Sequence, residues 1–337
     1  MNPWTVQNVL DNYVDRYSYT DSCSLSFTHD MGTTNIFAPS GTSAYELRDR
    51  PGVFSYMTHE QLVNWISIGS LFVLSCGALK WLSQRRQIFI RCLDSLINRD
   101  STYPNERDGV MNVDSDFVGC RSEITTYNSL DASLEQAPRN AYLAVRTWAA
   151  YLLLEQVFLA LDEGEPARTA RSQAIRCAIS IRRAVLPDGS LPAILEVDNP
   201  ARIISTIEGL VFPVLLGLKA IQDEQTPENI LPLLRRHLRF VLQPGICLFF
   251  DGGWKLSSTS DNSWLSKIHL SSFKAESSLG FHSAQIQAAD AIHASWLCDP
   301  QNAFWAWSDQ MVAGKALGSR FYPRGVMGIL WLRPKPR

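Results

Sequence analysis

The sequence predicts an all-α protein, an α/α toroid or a helical solenoid whose long loops gather at one end. Three observations predict it. Of the 337 residues, 46% are hydrophobic, enough to bury a sizeable core. Apolar residues recur at helical spacing through most long segments, whereas strand patterns are few and short. Connections between the helices alternate between tight turns and long polar stretches, the arrangement in which successive helix pairs bring their loops to a common mouth. No internal repeat favours the solenoid.

The elements follow in order. In Trp4 to Tyr17 the residues Val6, Val9, Leu10, Tyr13, Val14 and Tyr17 mark one face, and Pro3 suits a helix start. Further helical patterns run from about Thr58 to Leu82, Gln84 to Ile97, Asn140 to Leu161, Pro166 to Val185, Arg202 to Ile221, Pro227 to Leu242, Ser283 to Cys298 and Pro300 to Leu317. Thr58 reads as an N-cap with Gln61 as its capping-box partner, Asp162 to Gly164 closes one helix, and Pro187-Asp188-Gly189 is a turn after another. The long connections are Asp21 to Arg50, Asn98 to Asp131, Pro187 to Pro200 and Gln243 to Asp261.

Charge and composition exclude several partners. The net charge is -2, and no basic run exceeds the pairs Arg85-Arg86, Arg182-Arg183 and Arg235-Arg236, so no nucleic acid is expected. The stretch Trp65 to Leu82 carries Ser67, Ser70, Ser75 and Lys80 and falls short of the roughly 20 apolar residues of a membrane span, so it is expected as a core helix and no membrane is expected as a partner. Met-Asn-Pro-Trp runs straight into an amphipathic segment, which makes the cytoplasm the expected location. Seven cysteines lie scattered without CxxC spacing and read as buried thiols of a reducing compartment, with no zinc site, no disulfide framework and no cofactor implied.

The long loops are rich in hydrogen-bonding groups. The first carries Phe27-Thr28-His29-Asp30-Met31-Gly32, the second Glu123 to Asp131, and the fourth leads into Asp251 to Trp264 with Trp254, Lys255 and Asp261 crowded about Gly252-Gly253. Carboxylate, amide, hydroxyl and aromatic groups together suit a sugar, whose hydroxyls need donors and acceptors and whose ring face needs an apolar platform. For His29-Asp30 a loop histidine held by its own turn is the competing reading, and the tryptophans of the fourth loop read equally as covers for helix ends. His59-Glu60 sits in a first helical turn, where the helix dipole favours a carboxylate, and is left out of the site. No Gly-x-Ser-x-Gly elbow, P-loop, Gly-x-Gly-x-x-Gly or His-Glu-x-x-His occurs, which leaves carboxylate chemistry of the glycosidase kind.

The stretches NPWTVQNVLD, SFTHDMG, FSYMTHEQLVNW, EITTYNSLD, RIISTIEGLVFP, DGGWKLSSTSDNSWLSKI, WAWSDQM and GSRFYPRG resemble the β-xylosidases of glycoside hydrolase family 52, over nearly the whole chain. The resemblance implies retaining exo-hydrolysis of terminal β-1,4-linked xylose from xylo-oligosaccharides. It also implies a fold with an N-terminal β-sandwich and a C-terminal (α/α)6 barrel, of which residues 1–337 look like the barrel part alone, as one domain and an incomplete ring. The nucleophilic glutamate would then fall before Met1. The general acid/base aspartate falls in the segment where the family pattern reads Thr-Tyr-Asp-Ser-Leu-Asp. Here Asn128 occupies its place, or Asp131 is the acid if the register differs by three residues. A chain of this kind is expected to be catalytically impaired, and an inactive sugar-binding remnant or a structural α/α interaction protein are the alternatives. By the same resemblance His29, Asp30, Thr126 and Arg320 recognise hydroxyls, and Asp251, Trp254, Lys255 and Asp261 belong to the rim. The bound partner would be xylose or a xylo-oligosaccharide, with association or homo-oligomers through the face that a sandwich would cover.

Overall fold

The computed structural model describes residues 2–31, 57–101, 103–113, 137–195, 198–303 and 311–316. Helices dominate it, as the sequence predicts. Helix α1 (Pro3–Arg16) starts where the Asn2 side chain accepts from the Trp4 and Thr5 amides, and Arg16 lies in its last turn, where a cation is favoured. Its apolar face is less buried than the periodicity implies. Leu10 is buried and Val6, Tyr13 and Val14 pack partly on the core, while Trp4 and Val9 stay exposed. A short antiparallel hairpin follows, β1 (Ser18–Thr20) with β2 (Leu25–Phe27). The fully buried ion pair Arg99–Asp21, at 2.6 Å, ties its turn to the end of helix α3.

Helices α2 (Thr58–Cys76) and α3 (Leu79–Asp100) replace the longer segment expected to run to Leu82. Gly77, at φ 62°, ends α2 in the left-handed conformation that glycine adopts most cheaply. The capping box expected at Thr58 does not form: Met57 is the N-cap and Thr58 bonds to the Tyr19 hydroxyl instead. Trp65 of α2 stacks on Phe27, with ring centroids 5.0 Å apart, and meets Phe89 of α3 at 5.1 Å.

Helix α4 (Ala141–Leu159), capped by the Asn140 side chain on the Leu143 amide, is the centre of the core and packs on α2, on α5 (Gly164–Arg183) and on a 3-10 segment, Ile204–Leu210. That last contact needs a glycine. A Cβ at Gly209 would lie 2.6 Å from Val145 Cγ1 and 2.7 Å from the Val145 carbonyl oxygen. The helix expected from Arg202 to Ile221 is instead divided into the 3-10 segment, α6 (Val211–Leu215) and α7 (Lys219–Gln222), with the left-handed Gly217 between the last two.

Beyond α8 (Leu231–Val241) comes a helix that the pattern missed, α9 (Leu265–Leu279), which packs on the 3-10 segment and ends at the left-handed Gly280. Its sequence LSKIHLSSFKAESSL alternates serine with apolar residues and blurs the helical period. Helix α10 (Ser283–Cys298) matches its expected span. Of the helix expected from Pro300 to Leu317, only α11 (Pro300–Ala303) is seen among the described residues, and the pair β3 (Met311–Val312) and β4 (Lys315–Ala316) occupies its far part.

Among the described residues no helix is long and apolar enough to cross a membrane. The thiols divide: Cys92, Cys177 and Cys247 are buried, whereas Cys76 and Cys298, expected inside, are exposed.

Candidate functional site

A cleft of about 550 Å³ opens where α2, α4, the 3-10 segment and α9 meet, and charged side chains line it. Glu60 comes from the first turn of α2, Tyr142 and Arg146 from successive turns of one face of α4, Glu208 from the 3-10 segment and Lys267 from the start of α9. They form one connected network. Glu60 Oε1 accepts from the Tyr142 hydroxyl at 2.7 Å and from Arg146 at 3.0 Å, and Lys267 donates to the Tyr142 hydroxyl at 2.9 Å and to Glu208 Oε2 at 3.1 Å. Arg146 also donates to Asn64, which Gln61 steadies through a 3.0 Å bond. The cleft volume suits a sugar ring or two.

Burial and pairing act against each other in this network. Burial opposes the ammonium of Lys267, yet Glu208, Tyr142 and Glu60 outweigh it and hold its pKa above the ordinary lysine value. Burial pushes the Glu208 carboxyl up, against the opposite pull of Lys267 and Arg146. The Tyr142 phenol is likewise raised by burial and stays neutral, as a donor to Glu60 must.

Of the residues singled out in the sequence, His29 lines this cleft. Its Nδ1 lies 3.0 Å from Asp30 Oδ2, so the neighbouring carboxylate orients the ring. The fourth loop divides. Trp264 lines the cleft beside Lys267, whereas Trp254 lines a second groove of about 520 Å³ together with Arg239, Phe281 and Gln285. Lys255 pairs with Asp261 at 3.3 Å, and Asp251 turns back to accept from the Gly253 amide, so none of these three lines the cleft. Both tryptophans are buried, which suits covers for helix ends better than open stacking platforms. Thr126, Asn128, Asp131 and Arg320 lie outside the described residues.

Glu60, whose place in a first helical turn predicts only a dipole role, is the main departure from the sequence. Glu208, Tyr142, Arg146 and Lys267 were also not singled out, although Glu60, Glu208 and Lys267 lie inside stretches that carry the family resemblance. One signal was present: Arg146 and Glu208 are lone charges within the apolar runs AYLAVRTWAAYL and ISTIEGLVFPVL. A charge in such a run is costly to bury unless it has a partner, so it marks a site or an ion pair.

His269 of α9 with Asp290 and His293 of α10 are the group of described side chains whose composition could hold a metal ion, with ligand atoms within 4.8 Å of one another. The hydrogen bonding does not fit one. The Trp254 amide donates to His293 Nε2 at 2.9 Å, which puts the lone pair of the neutral ring on Nε2 and its proton on Nδ1. Coordination through Nδ1 would reverse that tautomer and set two N–H groups against each other. Burial, with His269 nearby, pushes the His293 pKa down to about 3, so the ring is neutral.

The family model for glycosyl hydrolase family 52 matches residues 1–72. A β-xylosidase of Geobacillus stearothermophilus is 47% identical over 345 aligned positions, which cover 98% of this chain and 49% of that relative. Both findings point to glycosyl hydrolase family 52. A second β-xylosidase of the same organism is 38% identical over 203 positions, 56% of this chain and 32% of its own length. The chain thus spans about half the length of the first of these relatives and less of the second. The cleft's Glu60 lies within the residues that the family model matches, and so does His29.

Proposed function

We propose that the chain carries the sugar-recognising part of a retaining β-xylosidase that releases terminal β-1,4-linked xylose from xylo-oligosaccharides. The match at 47% identity across 98% of the chain to a β-xylosidase carries this reading, and a sugar-sized cleft of paired acids and bases supports it. In this reading residues 1–337 form one domain, the (α/α)6 barrel portion, and His29 contacts a hydroxyl while Asp30 orients it. The buried free thiols Cys92, Cys177 and Cys247 suit a cytoplasmic setting. Asn128 stands at the general acid/base position, and an amide cannot protonate a departing oxygen, so turnover is slow on poor leaving groups. General acid/base assistance is worth on the order of 10² to 10⁴ in rate. The same substitution favours, as the second reading, a chain that binds sugar with little turnover.

A fusion of this chain to the remaining half of the Geobacillus relative, assayed on aryl β-xylosides, tests the reading. Slow cleavage restricted to good leaving groups is expected, and Asn128→Asp should raise the rate most on poor ones. Equal cleavage of good and poor leaving groups, lost on Asp131→Asn, would make Asp131 the acid. No cleavage by either fusion, together with no xyloside binding by the chain, would reject the function.

A further inference from the structure

We infer that Glu60 and Glu208 form a two-carboxylate clamp for two adjacent hydroxyls of a neutral pyranose, each accepting through the oxygen that its cation leaves unused. The inference rests on the reading above, in which the cleft holds a sugar, and it assigns that recognition to two residues.

The anchoring of each carboxylate is one-sided. Glu60 spends Oε1 on Tyr142 and Arg146, and Glu208 spends Oε2 on Lys267. The remaining oxygens, Glu60 Oε2 and Glu208 Oε1, are buried and have no hydrogen-bond partner. The two side chains are 6% exposed each, and both line the cleft. A buried acceptor without a donor is destabilising, and native proteins rarely keep one without a ligand or water to supply the proton. Two such acceptors on facing elements of one cleft, α2 and the 3-10 segment, call for a ligand with two donors.

Donor capacity in the network narrows the ligand further. The Tyr142 hydroxyl donates to Glu60 and accepts from both Arg146 and Lys267, so it has nothing left to offer. The Lys267 ammonium has three N–H groups, of which Tyr142 and Glu208 engage two. The two carboxylates and Lys267 therefore offer two acceptors and a donor side by side, the complement of neighbouring hydroxyls that each give a proton while one of them also accepts. Charge points the same way. Two carboxylates are balanced by Arg146 and Lys267, so a neutral sugar enters without a mismatch, whereas a uronic acid would add a third carboxylate. Orientation by cations on one side also fixes the two free oxygens before the ligand arrives, so little is lost in ordering them.

The test is a calorimetric titration of the full chain with methyl β-xyloside and its 2-, 3- and 4-deoxy analogues, repeated on Glu60→Gln and Glu208→Gln. Hydrogen bonds to charged groups predict a tenfold or larger loss of affinity for each variant on the parent xyloside. Each variant should lose little more on the one analogue that lacks its own hydroxyl, and the two analogues so identified should be neighbours on the ring. A structural role would lower affinity for all four ligands by one common factor. That common factor, with parent xyloside still bound by the wild type, overturns the clamp and leaves the sugar reading standing. No binding of the parent xyloside by the wild-type chain overturns both. Where a Gln variant lacks a cooperative melt, Glu60→Asp or Glu208→Asp takes its place, since it keeps the charge and retracts the oxygen.

Discussion

Helices α4 and α9 both border the cleft and both are largely buried, but they are buried for different reasons. Helix α4 is apolar around most of its circumference, and most of its polar groups have partners: Thr147 Oγ1 meets His59 Nε2 at 2.8 Å and Trp148 Nε1 donates to the Glu228 carbonyl at 2.8 Å. Helix α9 is buried with its polar groups largely unmet. Its Ser271 and Ser272 hydroxyls and the Lys274 ammonium have no hydrogen-bond partner, and neither does His269 Nδ1. The first helix supplies cohesion along with Tyr142 and Arg146, and the second carries unmet polar groups beside the Lys267 that it sets against Glu208. Sites are where native sequences depart from their own packing rules, because a pre-arranged charge is worth more to function than its burial costs.

The comparison can be broken most forcefully at α4. Trp148→Ala removes a fully buried indole and orphans the Glu228 carbonyl, and should cost about 3–5 kcal/mol in a denaturant melt. A loss no larger than that of an exposed substitution would mean that α4 is not the centre of the core. At the edge of the cleft, Arg146→Ala leaves Glu60 with one fewer charge partner and should cost about 3 kcal/mol. Comparing it with the double change Arg146→Ala, Glu60→Gln by the same melt should recover part of that loss.

On α9 the sign reverses. Burial lowers the pKa of Lys274 to about 8 from 10.5, so the folded chain binds that proton less tightly than the unfolded chain does. The cost of its charge is absent above 10.5 and grows as pH falls towards 8. Lys274→Met should therefore stabilise the chain by about 1–3 kcal/mol at pH 7 and by less at pH 10, read as the difference between two denaturant midpoints. Equal gains at both pH values would remove the buried charge as the cause.

Acid acts on both regions at once. Burial pushes His59 and His293 down to about 3 and His237 to about 4, against 6.5 unfolded. The unfolded chain binds these protons first, so stability is complete above 6.5 and is lost as pH falls towards the folded values, by about 1.4 kcal/mol per pH unit for each histidine. A melting temperature that holds constant from pH 7 to 5 would contradict the burial of all three. The smallest effect belongs to the half-exposed pair Arg86–Glu163: Glu163→Gln should lower the melting temperature only slightly.

The all-helical class, the family resemblance and the spans of α4, α5 and α10 were legible in the sequence, since periodicity and caps are local and Asn140 or Asp162 acts within a few residues of itself. Local pattern failed where the helix is not amphipathic. Serine-laced α9 hid its period, and the apolar run from Arg202 to Ile221 concealed a change from 3-10 to α-helix after Leu210, a break at Gly217 and a glycine that must touch the backbone of Val145.

The site was less legible still. His29 was marked by its loop chemistry, but Glu60 in a first turn is indistinguishable from a residue that serves the helix dipole. Only the tertiary structure decided otherwise, because its partners Tyr142 and Arg146 lie 82 and 86 residues away, and Lys267 reaches Tyr142 across 125. Sequence by itself determined which segments turn helical, through interactions that span three or four residues. The fold decided which charges face each other, since burial and pairing depend on distances that no local spacing encodes.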